Sequence, residues 1–250
     1  MNSSHQKKAA PRKHQHGLTL VELMVAATIS LLLMAGVIQV FLSSKVSHNL
    51  QNGLGRLQEN ARAAMDILSL NISMAGYTIT SGLTPAPATI NTANTLDNAT
   101  PNTDLDFTVA NGKASDVIDI SYESTLDCLN QTIAGNIATD RYYLEGTNLM
   151  CLGNGSTTAG IIAEGIENMQ ILYGEDNDSD GIANRYINAA NIAANPIVSV
   201  RIALLVSTVE TSGTTDTATY TLLNAPPVGP LNDNLLRKVF TRTIILRNPK

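Results

Sequence analysis

The residues best equipped for chemistry lie in the run Asp176-Asn177-Asp178-Ser179-Asp180-Gly181. Carboxylates at alternate positions followed by Gly resemble the opening of a calcium loop, which takes oxygen ligands at positions 1, 3 and 5 and turns at a Gly. The twelfth position, where a bidentate Glu would complete such a loop, is Ile187. Asn184 and Glu175 are the substitutes at hand. Two readings stand at this stage: a weak calcium site at Asp176, Asp178 and Asp180, and a solvated acidic turn without metal. Catalytic constellations are missing elsewhere. Of the four His, three (His5, His14 and His16) lie in the first 17 residues, leaving His48. There is no Gly-x-Ser-x-Gly, phosphate loop, dinucleotide fingerprint or His-Glu-x-x-His. The expectation is that the chain is not an enzyme.

Charge narrows the partners. The net charge is -5, but Lys7, Lys8, Arg12 and Lys13 stand in a stretch with no acid. Without residues 1–17, the 16 Lys and Arg fall to 12 against 21 Asp and Glu, a balance of -9. An acidic body disfavours nucleic acid, whose phosphates need a basic patch. With 15% charged and 44% hydrophobic residues, and a middle rich in Asn, Thr, Ala and Gly, the composition suits a β-rich exported domain.

The element that precedes this domain is a membrane segment. Residues 18–42 contain one formal charge, Glu22, and no Pro. At about 1.5 Å per residue a helix of this length crosses a hydrocarbon core of about 30 Å. Four basic residues precede it and only Lys45 and Arg56 follow nearby, so the N-terminus stays in the cytoplasm and the rest lies outside. The small residue Gly17 comes before the apolar run, where a secretory signal peptide has its cleavage residue after it. Cleavage after Gly17 would remove the basic leader and keep the helix. Glu22 costs roughly 2.5–3.5 kcal/mol at mid-membrane and less near an end. An α-amino cation on Leu18, four residues away or on a neighbouring subunit, would neutralise it.

Gly17-Leu18-Thr19-Leu20-Val21-Glu22-Leu23-Met24 resembles the class III signal of type IV pilins and type II secretion pseudopilins. The resemblance implies that a prepilin peptidase cuts between Gly17 and Leu18 and methylates Leu18, and that Glu22 serves subunit docking. Phe is commonest at the first mature position of that family, and Leu18 departs from it. It also implies a type IV pilin-like α+β fold, a long N-terminal helix packed on an antiparallel β-sheet.

Beyond residue 42 the helix becomes amphipathic. Val46, Leu50, Leu54, Leu57, Ala61, Met65, Leu68 and Ile72 recur at steps of four and three, opposite Lys45, Gln51, Arg56, Glu59, Arg62 and Asp66. The pattern predicts helix to about Met74 and a stop at Gly76. Gly53 and Gly55 mark either a soft point or tolerated glycines. Gly55-Arg56-Leu57-Gln58-Glu59-Asn60-Ala61-Arg62 and Met74-Ala75-Gly76-Tyr77 resemble the PilW type of minor pilin, which primes pilus assembly near the tip.

The division expected is a leader at 1–17, a transmembrane and polymerisation helix at 18–42, its amphipathic half at 43–76, and a periplasmic β-rich domain at 77–250. Residues 78–103 read as a loop. Strands are predicted at Leu105–Val109, Val117–Tyr122, Arg141–Leu144, Leu149–Leu152, Met169–Tyr173, Ile197–Glu210, Thr217–Leu223 and Val239–Leu246, with a hairpin turn at Glu145–Asn148 and Ile197–Glu210 central. Cys128 and Cys151 are the two cysteines, and outside the cytoplasm a pair of this kind is expected to form a disulfide.

The functional expectation is a minor pilin in type IV pilus assembly and twitching motility. Its partners would be prepilin peptidase, other minor and major pilins and a tip adhesin. It would reside in the inner membrane, then in the pilus at the cell surface. The alternatives are a type II secretion pseudopilin and a signal-anchored binding domain that never polymerises.

Overall fold

A computed structural model describes residues 19–79, 115–192, 195–211 and 215–248. The cleavage residues Gly17 and Leu18, most of the 78–103 loop and the strand expected at Leu105–Val109 lie outside them. The chain divides into two compact units, residues 1–47 and 48–250.

One helix, α1, runs from Leu20 to Ser73 and crosses that division. In the first unit its apolar side chains are exposed on every side, from Leu20 at 75% to Leu42 at 55%. The segment is long and apolar enough to cross a membrane. Thr19 starts the helix by accepting the Glu22 N–H on Oγ1 at 3.2 Å. Thr28 and Ser30 donate their hydroxyls to the carbonyls of Val25 and Ala26, so neither hydroxyl is left unpaired on the apolar surface.

In the second unit α1 buries one stripe, Leu57, Ala61, Ala64, Met65, Leu68 and Ile72. The buried face begins later than the apolar periodicity predicts. Val46 is 50% exposed, and Leu50 and Leu54 are half-buried. Helical periodicity reports an apolar face, and only packing decides how much of it the same chain covers. The helix passes through Gly53 and Gly55 without a break. A Cβ on Gly53 would lie 3.3 Å from Thr208 Cγ2, so this glycine admits a close neighbour. The helix closes in a turn at Met74–Gly76, with Gly76 at φ 77°, the left-handed stop that favours Gly.

Two antiparallel four-stranded sheets follow instead of one. The first runs β1 (Ile118–Glu123), β2 (Ile137–Glu145), β3 (Asn148–Gly153) and β4 (Gly160–Glu164) in sequence order. The second, built from β5 (Ile166–Glu175), β6 (Arg185–Ile187), β7 (Ile197–Ser207) and β8 (Arg237–Ile245), has the order β6-β5-β7-β8, with β7 interior. The sheets are tied where Asp116 N–H donates to the Met169 carbonyl and Ile171 N–H donates to the Asp116 carboxylate. The α1 stripe packs on both in one core that includes Ile120, Tyr142, Leu149, Met169 and Ile202.

The strand expected at Thr217–Leu223 does not form. That stretch holds one isolated bridge, Tyr220 to Val228, within the excursion between β7 and β8. Leu222 and Val228 pack on Ala203 and Leu205 behind the second sheet, which provides burial without a strand partner. Strands β4 and β6 were not predicted. Each is short, and their apolar residues do not alternate over enough positions to register.

Candidate assembly surface

The apolar half of α1 carries a single carboxylate. Glu22 lies in its first turn, and no cation among the described residues reaches ion-pair distance of it. The partner expected from the sequence, an amine on Leu18, falls outside the described residues.

Cys128 and Cys151 are joined in a disulfide between β3 and the arm at 124–136. Asp127 organises that arm. Its Oδ1 accepts the N–H groups of Leu129 and Gln131, and its Oδ2 accepts that of Gly155 at 3.1 Å. A Cβ on Gly153 would stand 2.3 Å from Asp127 Oδ2, so the arm seats on β3 only because that position has no side chain. Beside the disulfide, Asp140 is fully buried and accepts the Tyr122 hydroxyl at 2.7 Å and the Cys128 N–H at 3.0 Å. Burial pushes the Asp140 carboxyl above its ordinary 3.8, against the lowering effect of those two donors. The Tyr122 hydroxyl is raised for the same reason, burial first and Asp140 second.

The structure brings Asp176, Asp178 and Asp180 together, with one carboxylate oxygen from each within 4.8 Å of the others. The turn is already closed by its own donors. Asp176 Oδ1 accepts the N–H groups of Asp178 and Ser179, and Oδ2 accepts that of Gly181 at 2.8 Å. Burial opposes the ionised form of Asp176, yet the Gly181 and Ser179 donors hold its carboxyl below the usual range. Asp180 Oδ1 accepts the Ile182 N–H, and Asn184 Nδ2 donates to Asp178. Glu175 is committed to Arg185 at 2.5 Å and to Asn195 at 2.8 Å. Asn184 Oδ1 also accepts the Asn177 N–H at 2.6 Å, so both substitute ligands already hold partners, while the carboxylates of Asp176, Asp178 and Asp180 keep further lone pairs for a cation that takes six to eight oxygens.

A buried ion cluster was not anticipated. Arg237, whose side chain is 1% exposed, donates to Glu167 at 2.6 and 2.9 Å, to Asp216 at 2.9 Å and to Asp233 at 2.6 Å. Asp216 also accepts the Tyr220 hydroxyl, which burial and that carboxylate push up to about 12. The cluster holds the 215–236 excursion to β5 and β8. Glu167 lies 70 residues from Arg237, so no local spacing signals it.

Comparison with known proteins follows the same lines. A family model described as Type IV Pilus-assembly protein W, PilW, matches residues 124–248, and a prokaryotic N-terminal methylation motif matches residues 12–38. Comparison with curated proteins finds no match. Among solved structures, the chain is similar to a type IV-like pilin from Thermus thermophilus at 16% identity and a TM-score of 0.45, covering 77% of this chain and 96% of that one. It is also similar to a chain of the GspK-GspI-GspJ complex of the type 2 secretion system of enterotoxigenic Escherichia coli. That match has 12% identity and a TM-score of 0.37, over 78% of this chain and 99% of that one. The PilW model covers half of the sequence, its arm, both cysteines and nearly all of its strands, and the chain belongs to the PilW family of type IV pilus-assembly proteins.

Proposed function

We propose that the chain is a minor pilin that helps initiate type IV pili and takes a place near the tip. One observation carries this reading: an apolar helix, exposed on every side over Leu20–Leu42, holds one carboxylate, Glu22, near its start. Such a helix is at home in lipid, and equally in the core of a bundle of like helices. Prepilin peptidase cuts between Gly17 and Leu18 and methylates Leu18. The leader is residues 1–17, the polymerisation helix 18–42, its amphipathic half 43–76 and the periplasmic domain 77–250. Glu22 then pairs with the amine of a neighbouring subunit, which relieves the cost of a lone charge among apolar groups. Other minor and major pilins, and a tip adhesin, are its partners. It passes from the inner membrane to the cell surface, and its role is structural.

Mass spectrometry of the mature chain is the first test. N-methyl-Leu18 is the expected N-terminus, and an intact basic leader in cells that hold the peptidase would sink the reading. Glu22→Ala should insert in the membrane normally but fail to enter filaments. Normal incorporation of that variant would remove the docking role and favour a plain tether. Deleting the gene should abolish twitching while leaving protein secretion intact, and the reverse would favour a secretion pseudopilus.

A further inference from the structure

A sheet edge is a row of outward N–H and C=O groups, and folded proteins normally cover or interrupt it. Two four-stranded sheets have four edges here. The β1 edge is covered by the chain leaving α1: Gly76 N–H donates to the Ser121 carbonyl, and Glu123 N–H donates to that of Tyr77. The β4 edge is five residues long, its register against β3 is broken at Leu149/Met150, and Asn60 caps its Glu164 carbonyl. The β6 edge is three residues long. The β8 edge has none of these devices among the described residues. It is nine residues long and pairs with β7 in one unbroken register, from Arg237 against Ser207 to Ile245 against Ser199.

The direction of its backbone groups follows from two bonds. Leu246 N–H donates to the Val198 carbonyl, and Thr208 N–H donates to the Leu236 carbonyl. In an antiparallel ladder without a bulge, even-numbered residues between them therefore face β7. Odd-numbered residues, Val239, Thr241, Thr243 and Ile245, aim their N–H and C=O groups away from the sheet. Arg247 obeys the same alternation, since its N–H donates outward to the carbonyl of Ser73, the last residue of α1. Beside this edge runs a groove of about 510 Å³ between Asp66, Ser69, Leu70 and Ser73 of α1 and residues 242–245 and 247, with Asp66 paired to Arg242 across it. Leu70 at 60% and Ile245 at 72% exposure stand over it as apolar contacts.

Charge identifies the occupant. From Arg237 to Lys250 the sequence has five Lys and Arg and no acid, in a protein whose body beyond residue 17 is acidic. Arg237 is buried in its own cluster, and Arg242 is held by the Asp66 carboxylate of α1 at 2.7 Å and the Met65 carbonyl at 3.2 Å, which leaves Lys238 and Arg247 as the cations along the edge with no carboxylate partner among the described residues. We propose that the free edge of β8 accepts an extended, acidic segment of a different, neighbouring pilin subunit, which adds as a further strand of the second sheet. Backbone bonds to Thr241, Thr243 and Ile245 supply the register, and carboxylates that reach Lys238 and Arg247 supply the selection. The inference rests on the assembly reading above.

The test uses the full chain in cells that make its pilin partners. Thr241→Pro removes one outward N–H and none that faces β7, a substitution that edge strands accept. It should lower recovery of the chain with its partners in sheared pili by about tenfold or more. Thr241→Ala, which keeps the N–H, should leave recovery unchanged. Recovery of Thr241→Pro at the unsubstituted level overturns the proposal. If that variant does not fold, amide exchange on the unaltered chain decides. The N–H groups of Thr241, Thr243 and Ile245 should exchange fast in the isolated chain and slowly in the assembled one. Slow exchange in the isolated chain, or no slowing on assembly, overturns it. A photo-cross-linker at Ile245 should capture another pilin, and capture of a second copy of this chain alone also overturns it. If the unaltered chain never enters pili, the assembly reading fails and takes this inference with it. Entry that is indifferent to Thr241→Pro removes the edge alone.

Discussion

At the scale of single residues, the carboxylates of the domain divide by what surrounds them. Asp140 is buried with two donors and, among the described residues, no cation beside it, and its pKa lies above 3.8. The folded chain thus holds that proton more tightly than the unfolded one. The stability this contributes is complete below 3.8 and is lost as pH rises through the folded value. The groups facing it are Tyr122, Asp127 and the Cys128 N–H. Asp140→Asn should remove that part of the pH dependence, checked by denaturant unfolding of both forms in detergent from pH 4 to 7. Parallel curves would show that Asp140 does not titrate there. Asp176 has the opposite setting, with three N–H donors on its two oxygens and a lowered pKa. A metal would compete with donors already in place. An unchanged melting temperature on chelation would favour the metal-free turn, and a clear rise on adding calcium would favour the metal reading. The alternation of Asp176, Asp178 and Asp180 was legible in the sequence; the identity of their partners was not. Backbone N–H groups and calcium can be served by the same pattern of oxygens, so the alternation alone does not separate the two readings.

At the scale of elements, α1 was the most legible because two independent patterns mark it, an unbroken apolar run and a 3.6-residue stripe. What the stripe could not report is where cover begins. Leu68 is fully buried in the core, whereas Leu70, two residues on, is 60% exposed. Leu68→Ala should cost about 2–5 kcal/mol. Leu70→Ala should stay within about 0.5 kcal/mol, as for a surface position. Urea unfolding checks both, and equal effects would mean that the helix is not seated as described. The strands divide along the same line. Val117–Tyr122, Met169–Tyr173 and Ile197–Glu210 alternate or run apolar for long enough to be read, and each overlaps a strand. Thr217–Leu223 alternates as well, yet its apolar residues reach the outer face of the second sheet as a loop. Alternation reports a half-buried surface and does not reveal whether a ladder partner exists. The second sheet was hidden for a related reason, since strand order depends on pairings such as β5 with β7 that no local pattern records.

At the scale of the whole molecule, the β-rich part is secured by two ties that lie far apart in sequence. One is the Cys128–Cys151 disulfide, which fastens the 124–136 arm to the first sheet. The other is Arg237, which fastens the 215–236 excursion to the second sheet through Glu167, Asp216 and Asp233. The first could be anticipated from compartment alone, because the orientation expected from the flanking charges puts both cysteines outside the cytoplasm. The second could not, because an isolated Arg beside a Lys carries no sign of burial. The two ties act on different segments over a shared core, so they should fail separately. Replacing both cysteines by Ser removes a cross-link with a sequence separation of 23, worth about 3 kcal/mol by the chain-entropy estimate. Arg237→Met leaves Glu167 and Asp216 buried without their cation, a loss of about 3–5 kcal/mol. Amide exchange should localise each effect. The double Ser variant should open residues 124–136 while β7 and β8 stay protected. Arg237→Met should open 215–236 while the arm stays closed. If either variant opened both segments to the same extent, the two sheets would form one cooperative unit. A pilin domain that responds in two parts could then hold the 124–136 arm fixed while contacts at the β8 edge form or dissolve, which makes separate failure the outcome that matters for assembly.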